Sequence, residues 1–343
     1  MGYAAIRNVR YRGLASCVPK NVVSNLDCAE QIKSERQRLV RNIGIERRRI
    51  CYPWQCFSDL AVAAAEKLLA DLNWAPEEVD ALVVVTQSPD YLIPATAIII
   101  QDRLKLKTSI PAFDINLGCS GYPYGLYILG SMMSSGHIKK GLVLIGDKCA
   151  SLKDPLFSDC GTATALEYDP DAPVMHFDLN SDGSGYRAIM LPVGGHRRPT
   201  KFHHFIPEQG ESGARLPVDL VLDGTAVLNF SITQVPPAVR RLCESSAIEI
   251  GNVDYFVFHQ ANRMINETIR KKLGLVAEKT PSTLADFGNT SSASIPLTMT
   301  HRIRGELVTM PRRLLLCGFG IGLSWAGCIL ETEGICMPEL LEV

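Results

Sequence analysis

"VDALVVVTQ" (79–87) and "VDYFVFHQ" (253–260) decide the fold of this chain. Each opens on Val-Asp and runs on through β-branched or aromatic residues, the composition of a buried strand. They stand 174 residues apart. Two further landmarks repeat at an offset of 172: Gly146 after "GLVLI" with Gly318 after "RLLLC", and Asp114 in "FDINLGCS" with Asp286 in "ADFGNTSS". A helical pattern precedes each first strand, "FSDLAVAAAEKLLADL" (57–72) and "AVLNFSITQVPPAVRRL" (226–242), with apolar residues at i, i+3, i+4 and i+7. The offset is about half the chain, too long for a solenoid repeat. The pattern predicts two copies of one α/β unit, with largely parallel sheets covered by helices on both faces. The expected halves are 1–170 and 223–343. The Gly-, Pro- and His-rich stretch 171–222 between them is expected to be an insertion.

Composition narrows the function. The chain has 343 residues and a formal net charge of −1, with basic and acidic residues interspersed. That excludes a strong field for nucleic acid or a membrane surface. The opening "MGYAAIRNVRYRG" has neither a signal-peptide apolar region nor a myristoylation pattern. The longest uncharged run, "LLLCGFGIGLSWAGCIL" (314–330), is short of a membrane span and carries four glycines. It predicts two buried strands around a glycine turn. Eleven cysteines lie scattered without a CxxC pair, which is the usage expected of a reducing, cytoplasmic setting. "HRRPTKFHHF" (196–205) lacks zinc spacing, and "GFGIG" (318–322) is not the dinucleotide fingerprint. No metal and no cofactor are expected.

Three residues near strand ends stand out against this background. Cys119 lies in "NLGCSGYPYGL" (116–126), between glycines, where a helix starts with Pro123 in its first turn. A helix start lowers a thiol's pKa, so Cys119 is expected to be a reactive nucleophile rather than one more buried cysteine. His259 follows the strand "YFVF" and Asn289 lies in "FGNTSSASIP" (287–296). Read singly, they are a core histidine and a turn asparagine. Read together, they are a thiolate and two donors for a carbonyl oxygen, which suits acyl transfer through a thioester or enolate formation beside one.

At these residues the sequence resembles the β-ketoacyl-acyl carrier protein synthase III family of the thiolase superfamily. The resemblance rests on "IGIERRRI" (43–50), "DINLGCSGYPYGL" (114–126), "SDCGTATAL" (158–166), "LDGTAVLNF" (222–230), "FHQANRMINETIRKKLGL" (258–275), "FGNTSSASIPL" (287–297) and "GFGIGLSW" (318–325), in this order over nearly the whole chain. It implies a five-layered αβαβα fold of two duplicated halves, a homodimer, and acyl carrier protein or coenzyme A thioesters as substrates. It also implies that Cys119 accepts the acyl group and that His259 and Asn289 promote decarboxylation of a malonyl thioester. Gly320 would offer a backbone oxyanion contact, and Lys271 and Lys272, with Arg263 nearby, would face the carrier protein.

The chain departs from the family pattern at several positions. Arg38 and Asn42 stand where priming members carry a tryptophan and an arginine that grip adenine, Met264 replaces an arginine, and Ile321 fills a position usually held by Gly or Ala. These departures favour a specialised pathway, and carrier-protein thioesters over coenzyme A thioesters as donors. The alternative on the same fold is a non-decarboxylating acyltransferase acting from Cys119. A silent partner subunit would lack the nucleophile. A hydroxymethylglutaryl-type synthase would need a glutamate near 86–94, where only Asp90 stands.

Overall fold

The computed structural model describes residues 2–152, 154–210 and 213–343. Two mixed sheets form its frame. The first has six strands in the order Leu341–Glu342, Val9–Val18, Cys160–Tyr168, Lys140–Asp147, Ala81–Val85, Ala112–Ile115. The second runs Tyr3–Ile6, Met175–Ser181, Ser324–Thr332, Arg312–Gly320, Tyr255–Phe258. The four strands from Val9–Val18 to Ala81–Val85 repeat, in order and in relative direction, as the last four strands of the second sheet.

The strands alternate their side chains between two layers, as a pleat requires. Val83, Val85, Val143 and Ile145 face the other sheet across the helix Gly121–Met133, with Tyr122, Leu126 and Leu129 between. Ile295 and Met299 of the helix Ser294–Arg302 complete this central layer against Val257, Leu314 and Leu316. Leu82, Val84, Leu142 and Leu144 point the other way, onto the helix Phe57–Leu72. Phe256, Phe258, Leu315 and Cys317 do the same beneath the helices Gly224–Ser245 and Arg263–Leu273. The result is five layers, αβαβα, the thiolase-like arrangement. Burying each large aliphatic side chain contributes about 1.5–3 kcal/mol.

Several expectations need correction. The sheets are mixed rather than largely parallel: Lys140–Asp147 with Cys160–Tyr168, and Arg312–Gly320 with Ser324–Thr332, are antiparallel pairs. Only residues 321–323 separate the second pair, too short a link for a parallel crossover. The uncharged run 314–330 is this strand pair, and no described helix is long and apolar enough to cross a membrane. The segment 171–222 is more than an insertion, since it opens with Met175–Ser181, a strand inside the second sheet. The third landmark pair also differs. Asp114 lies on a strand, whereas Asp286 lies in the single-turn helix Leu284–Phe287, where its carboxylate meets Arg47 and Arg302. "TLADFG" holds too short an apolar run to make a strand there.

Candidate active site

Cys119 sits in the turn between the strand Ala112–Ile115 and the helix Gly121–Met133. Its glycine surroundings have a steric cause. A Cβ on Gly318 would stand 2.6 Å from the Cys119 carbonyl oxygen, and one on Gly320 would stand 2.8 Å from Cys119 Cβ and 3.1 Å from Sγ. A Cβ on Gly121 would meet Val85 at 2.6 Å. The nucleophile turn of the first half is thus pressed against the strand Arg312–Gly320 of the second. Beside it, the Ser120 and Ser324 hydroxyls lie 2.6 Å apart.

The thiol is not the free thiolate expected from its helix start. Burial pushes its pKa up to about 12, and the nearby Asp147 carboxylate adds to the rise. The Ser291 hydroxyl and the backbone N–H groups of Ile321 and Cys119 lower it only in part. From the glycine turn it is the Ile321 backbone that contributes to this partial lowering. Gly320 acts by lacking a side chain that would fill the space.

His259 follows the strand Tyr255–Phe258, its own N–H donating to the Cys317 carbonyl at 2.8 Å. Nδ1 lies 2.8 Å from the Ser294 hydroxyl, and the ring meets Phe319 edge-on with centroids 5.5 Å apart. Burial lowers its pKa to about 3, against a small opposing effect of the Ser291 backbone, so the ring is neutral. Asn289 is 5 % exposed. Its Oδ1 accepts the Ser291 N–H at 2.9 Å, and its Nδ2 lies 3.4 Å from the Ala261 carbonyl. Its backbone bridges to the loop of Phe157, with Asn289 N donating to Leu156 O at 3.0 Å and Ser158 N to Asn289 O at 2.9 Å. The buried Arg48 of "IGIERRRI" holds that loop by donating to the Ser151 and Phe157 carbonyls at 2.8 and 3.2 Å.

Cys119, His259 and Asn289 line one cavity of about 400 Å³, walled by Leu156, Phe157, Leu191, Leu222, Val227 and Ile265. The sequence reading missed three further parts of this site: Asp147, Ser291 and the Ile321 amide. Arg263, Lys271 and Lys272 are exposed on the helix Arg263–Leu273 and lie outside the cavity lining. Lys272 Nζ is 3.0 Å from the Ile232 carbonyl. Arg38 and Asn42 are exposed on the helix Lys33–Ile43, which packs against the Arg263–Leu273 helix. Met264 is 53 % exposed.

Residues 113–183 match the family model described as 3-oxoacyl-[acyl-carrier-protein] synthase III, and residues 243–332 match the model of that enzyme's C-terminal part. A β-ketoacyl-[acyl-carrier-protein] synthase III of Neisseria gonorrhoeae is 31% identical, the match covering 93% of this chain and 98% of that protein. The protein of the same name from Caldanaerobacter subterraneus subsp. tengcongensis is 30% identical, with 93% and 96% covered. The crystal structure of a 3-oxoacyl-(acyl-carrier protein) synthase from Burkholderia xenovorans LB400 superposes with a TM-score of 0.92 at 35% identity, covering 99% of each chain.

Proposed function

The chain belongs to the β-ketoacyl-acyl carrier protein synthase III family of the thiolase superfamily, and on that premise we propose that it is a condensing enzyme that extends an acyl thioester with a malonyl-type thioester. The observation that carries this reading is the meeting of Cys119, a neutral His259 and Asn289 in one mostly apolar cavity. In the first step Sγ attacks the acyl thioester carbonyl, and the N–H groups of Cys119 and Ile321 receive the developing oxyanion. The acyl group stays on Sγ as the carrier thiol leaves.

In the second step the malonyl thioester carbonyl oxygen accepts from His259 and Asn289. Gln260 N–H donates to Ser294 Oγ at 3.2 Å, which turns the Ser294 hydroxyl proton toward His259 Nδ1 and leaves the ring proton on Nε2. Two neutral donors then hold the enolate formed as carbon dioxide departs, and the enolate carbon attacks the Cys119 thioester, whose C–S bond breaks to free Sγ as a thiolate that regains its proton from water.

Acyl carrier protein thioesters are the favoured donors, in a specialised rather than a bulk fatty acid pathway. Arg38 and Asn42 offer no aromatic ring for adenine, while Arg263, Lys271 and Lys272 present exposed cations that suit an acidic carrier helix. Intact-mass measurement after incubation with equal amounts of matched carrier-protein and coenzyme A thioesters tests this. The expected result is one acyl adduct per chain, formed faster from the carrier protein. Faster loading from coenzyme A would remove the carrier preference.

The active form is a homodimer. Tyr91, Leu92 and Ile93 are 64, 84 and 86% exposed in the single chain, an apolar patch suited to a second copy. Light scattering at micromolar concentration is expected to give twice the chain mass of 37.6 kDa, and a monomer would contradict it.

A further inference from the structure

The pleat of the short strand Arg47–Arg49 turns its middle residue inward. Arg47 and Arg49 pair with Asp286 and Glu342. Arg48 is 1% exposed and among the largest fully buried side chains of the molecule. Among the described residues no carboxylate lies within ion-pair distance of it, and Asp154 and Asp159 act on it only from farther off. Burial works against its charge. A buried cation without a close counter-charge is costly, and a well-packed apolar side chain is often the more stable choice. Packing alone therefore gives no reason for a guanidinium here.

The reason lies in what the fork holds. Nε donates to Asn25 Oδ1 at 2.8 Å, and Nη1 donates to the Ser151 and Phe157 carbonyls at 2.8 and 3.2 Å. Asn25 is 4% exposed, and its Nδ2 donates in turn to the Pro155 carbonyl at 2.8 Å and the Ile45 carbonyl at 3.1 Å. Three carbonyls of one loop, those of Ser151, Pro155 and Phe157, are thereby drawn onto one guanidinium and its amide partner. A planar fork with several fixed donors suits this task, and the point charge of a lysine would not.

The same loop carries Asn289. Asn289 N–H donates to the Leu156 carbonyl at 3.0 Å, and Ser158 N–H donates to the Asn289 carbonyl at 2.9 Å. The Arg48 stem presses on the preceding residue. A Cβ on Gly288 would stand 3.0 Å from Leu156 O, 3.2 Å from Ile45 Cγ2 and 3.3 Å from Arg48 Cγ. The Asn289 side chain is tied to its own segment, its Oδ1 accepting the Ser291 N–H at 2.9 Å. Where this backbone is held, the Nδ2 donor is held with it.

We propose that Arg48 is the positioning residue for Asn289, fixing through the loop of Ser151, Pro155 and Phe157 the place from which Nδ2 meets the malonyl carbonyl oxygen. The inference rests on the condensing reading, in which Asn289 serves the enolate. Arg48 itself does not line the cavity, so its effect passes through Asn289.

The test is a double-mutant cycle. Wild type, Arg48→Met, Asn289→Ala and the double variant are compared for carbon dioxide release from malonyl carrier-protein thioester and for acyl loading by intact mass. Arg48→Met keeps an apolar stem and removes the fork. Its maximal decarboxylation rate is expected to fall about 10–100-fold, the scale of a donor misplaced by about 1 Å, with KM changed less than about threefold. In the Asn289→Ala background the same change should cost less than about threefold, because the donor it places is already gone. Loading, which uses no Asn289 donor, should also fall less than about threefold. Asn25→Ala runs the same cycle should Arg48→Met fail to fold. It removes the Nε acceptor and the Pro155 contact, and its expected loss of about tenfold should likewise vanish without Asn289. Equal losses with and without Asn289, or equal losses of loading and decarboxylation, are the mark of a scaffold and would overturn the proposal. Wild-type decarboxylation in both Arg48→Met and Asn25→Ala would overturn it as well. A wild type that loads acyl groups and releases no carbon dioxide would instead overturn the condensing reading, and the positioning role with it.

Discussion

Replacing Asn289 with alanine is expected to lower malonyl thioester decarboxylation about 10²–10³-fold, the usual cost of losing one oxyanion donor. Acyl loading of Cys119 should fall far less. Alanine deletes the Oδ1 that accepts the Ser291 N–H at 2.9 Å, and a hydrogen bond of that kind contributes about 0.5–1.5 kcal/mol, tenfold in rate at most. The two half-reactions therefore separate, because Asn289 Nδ2 serves the enolate oxygen and Sγ chemistry relies on backbone amides. A simple acyltransferase behaves differently. It needs one base for the acceptor's proton, which His259 alone supplies, so Asn289→Ala would leave turnover nearly intact while His259→Ala stopped it. Decarboxylation assayed by carbon dioxide release, beside loading by intact mass, reads both steps on the same preparation. Full decarboxylation by Asn289→Ala would remove the donor role.

Replacing Cys119 with alanine is expected to abolish the acyl adduct, since no other cysteine lines the cavity except Cys149, whose thiol is pushed well up by burial and by Asp159. The alanine chain should still fold, because the substitution removes a single buried sulfur. Simple alkylation is a poorer probe than the helix start suggests. With the Cys119 thiol pushed up to about 12, iodoacetamide labelling at this residue should rise about tenfold per pH unit from 7 to 10 without a plateau. Cys28, half-exposed, is expected to label alongside it at neutral pH. An acyl adduct that persists in Cys119→Ala, mapped to another residue, would contradict the assignment. A labelling plateau below pH 8 would show that Cys119 rests as a thiolate.

The duplicated architecture was legible because strand runs such as "ALVVV" and "YFVF" carry their burial in composition, and because they recur at one offset. Cys119 was legible from its glycine neighbours, whose missing side chains the strand Arg312–Gly320 requires. Strand direction was less so. The antiparallel return at 321–323 depends on a turn too short to register as a periodic signal. The Ile321 amide carries no side-chain signature at all. Asp147 looks like the polar end of the run "GLVLIGD", and nothing local shows that its carboxylate is buried without a cation. Ser291 could have been found, since the offset of 172 applied to Cys119 lands on it. Asn289, two residues earlier, carries the plainer signal, since its amide is a hydrogen-bond donor in turn-forming sequence. The Cys119 thiol is pushed up rather than down because the depth of its burial, which the sequence does not display, outweighs the helix start, which it does.

The most direct test of the condensing reading is product mass with carbon dioxide counted alongside. The enzyme is charged with an acyl thioester on Cys119, freed of excess donor, and given malonyl carrier-protein thioester. The account predicts one carbon dioxide released for each 3-oxoacyl thioester formed, two carbons longer than the loaded acyl group. Transfer of the intact acyl group to an oxygen, nitrogen or sulfur acceptor, with no carbon dioxide released, would contradict it.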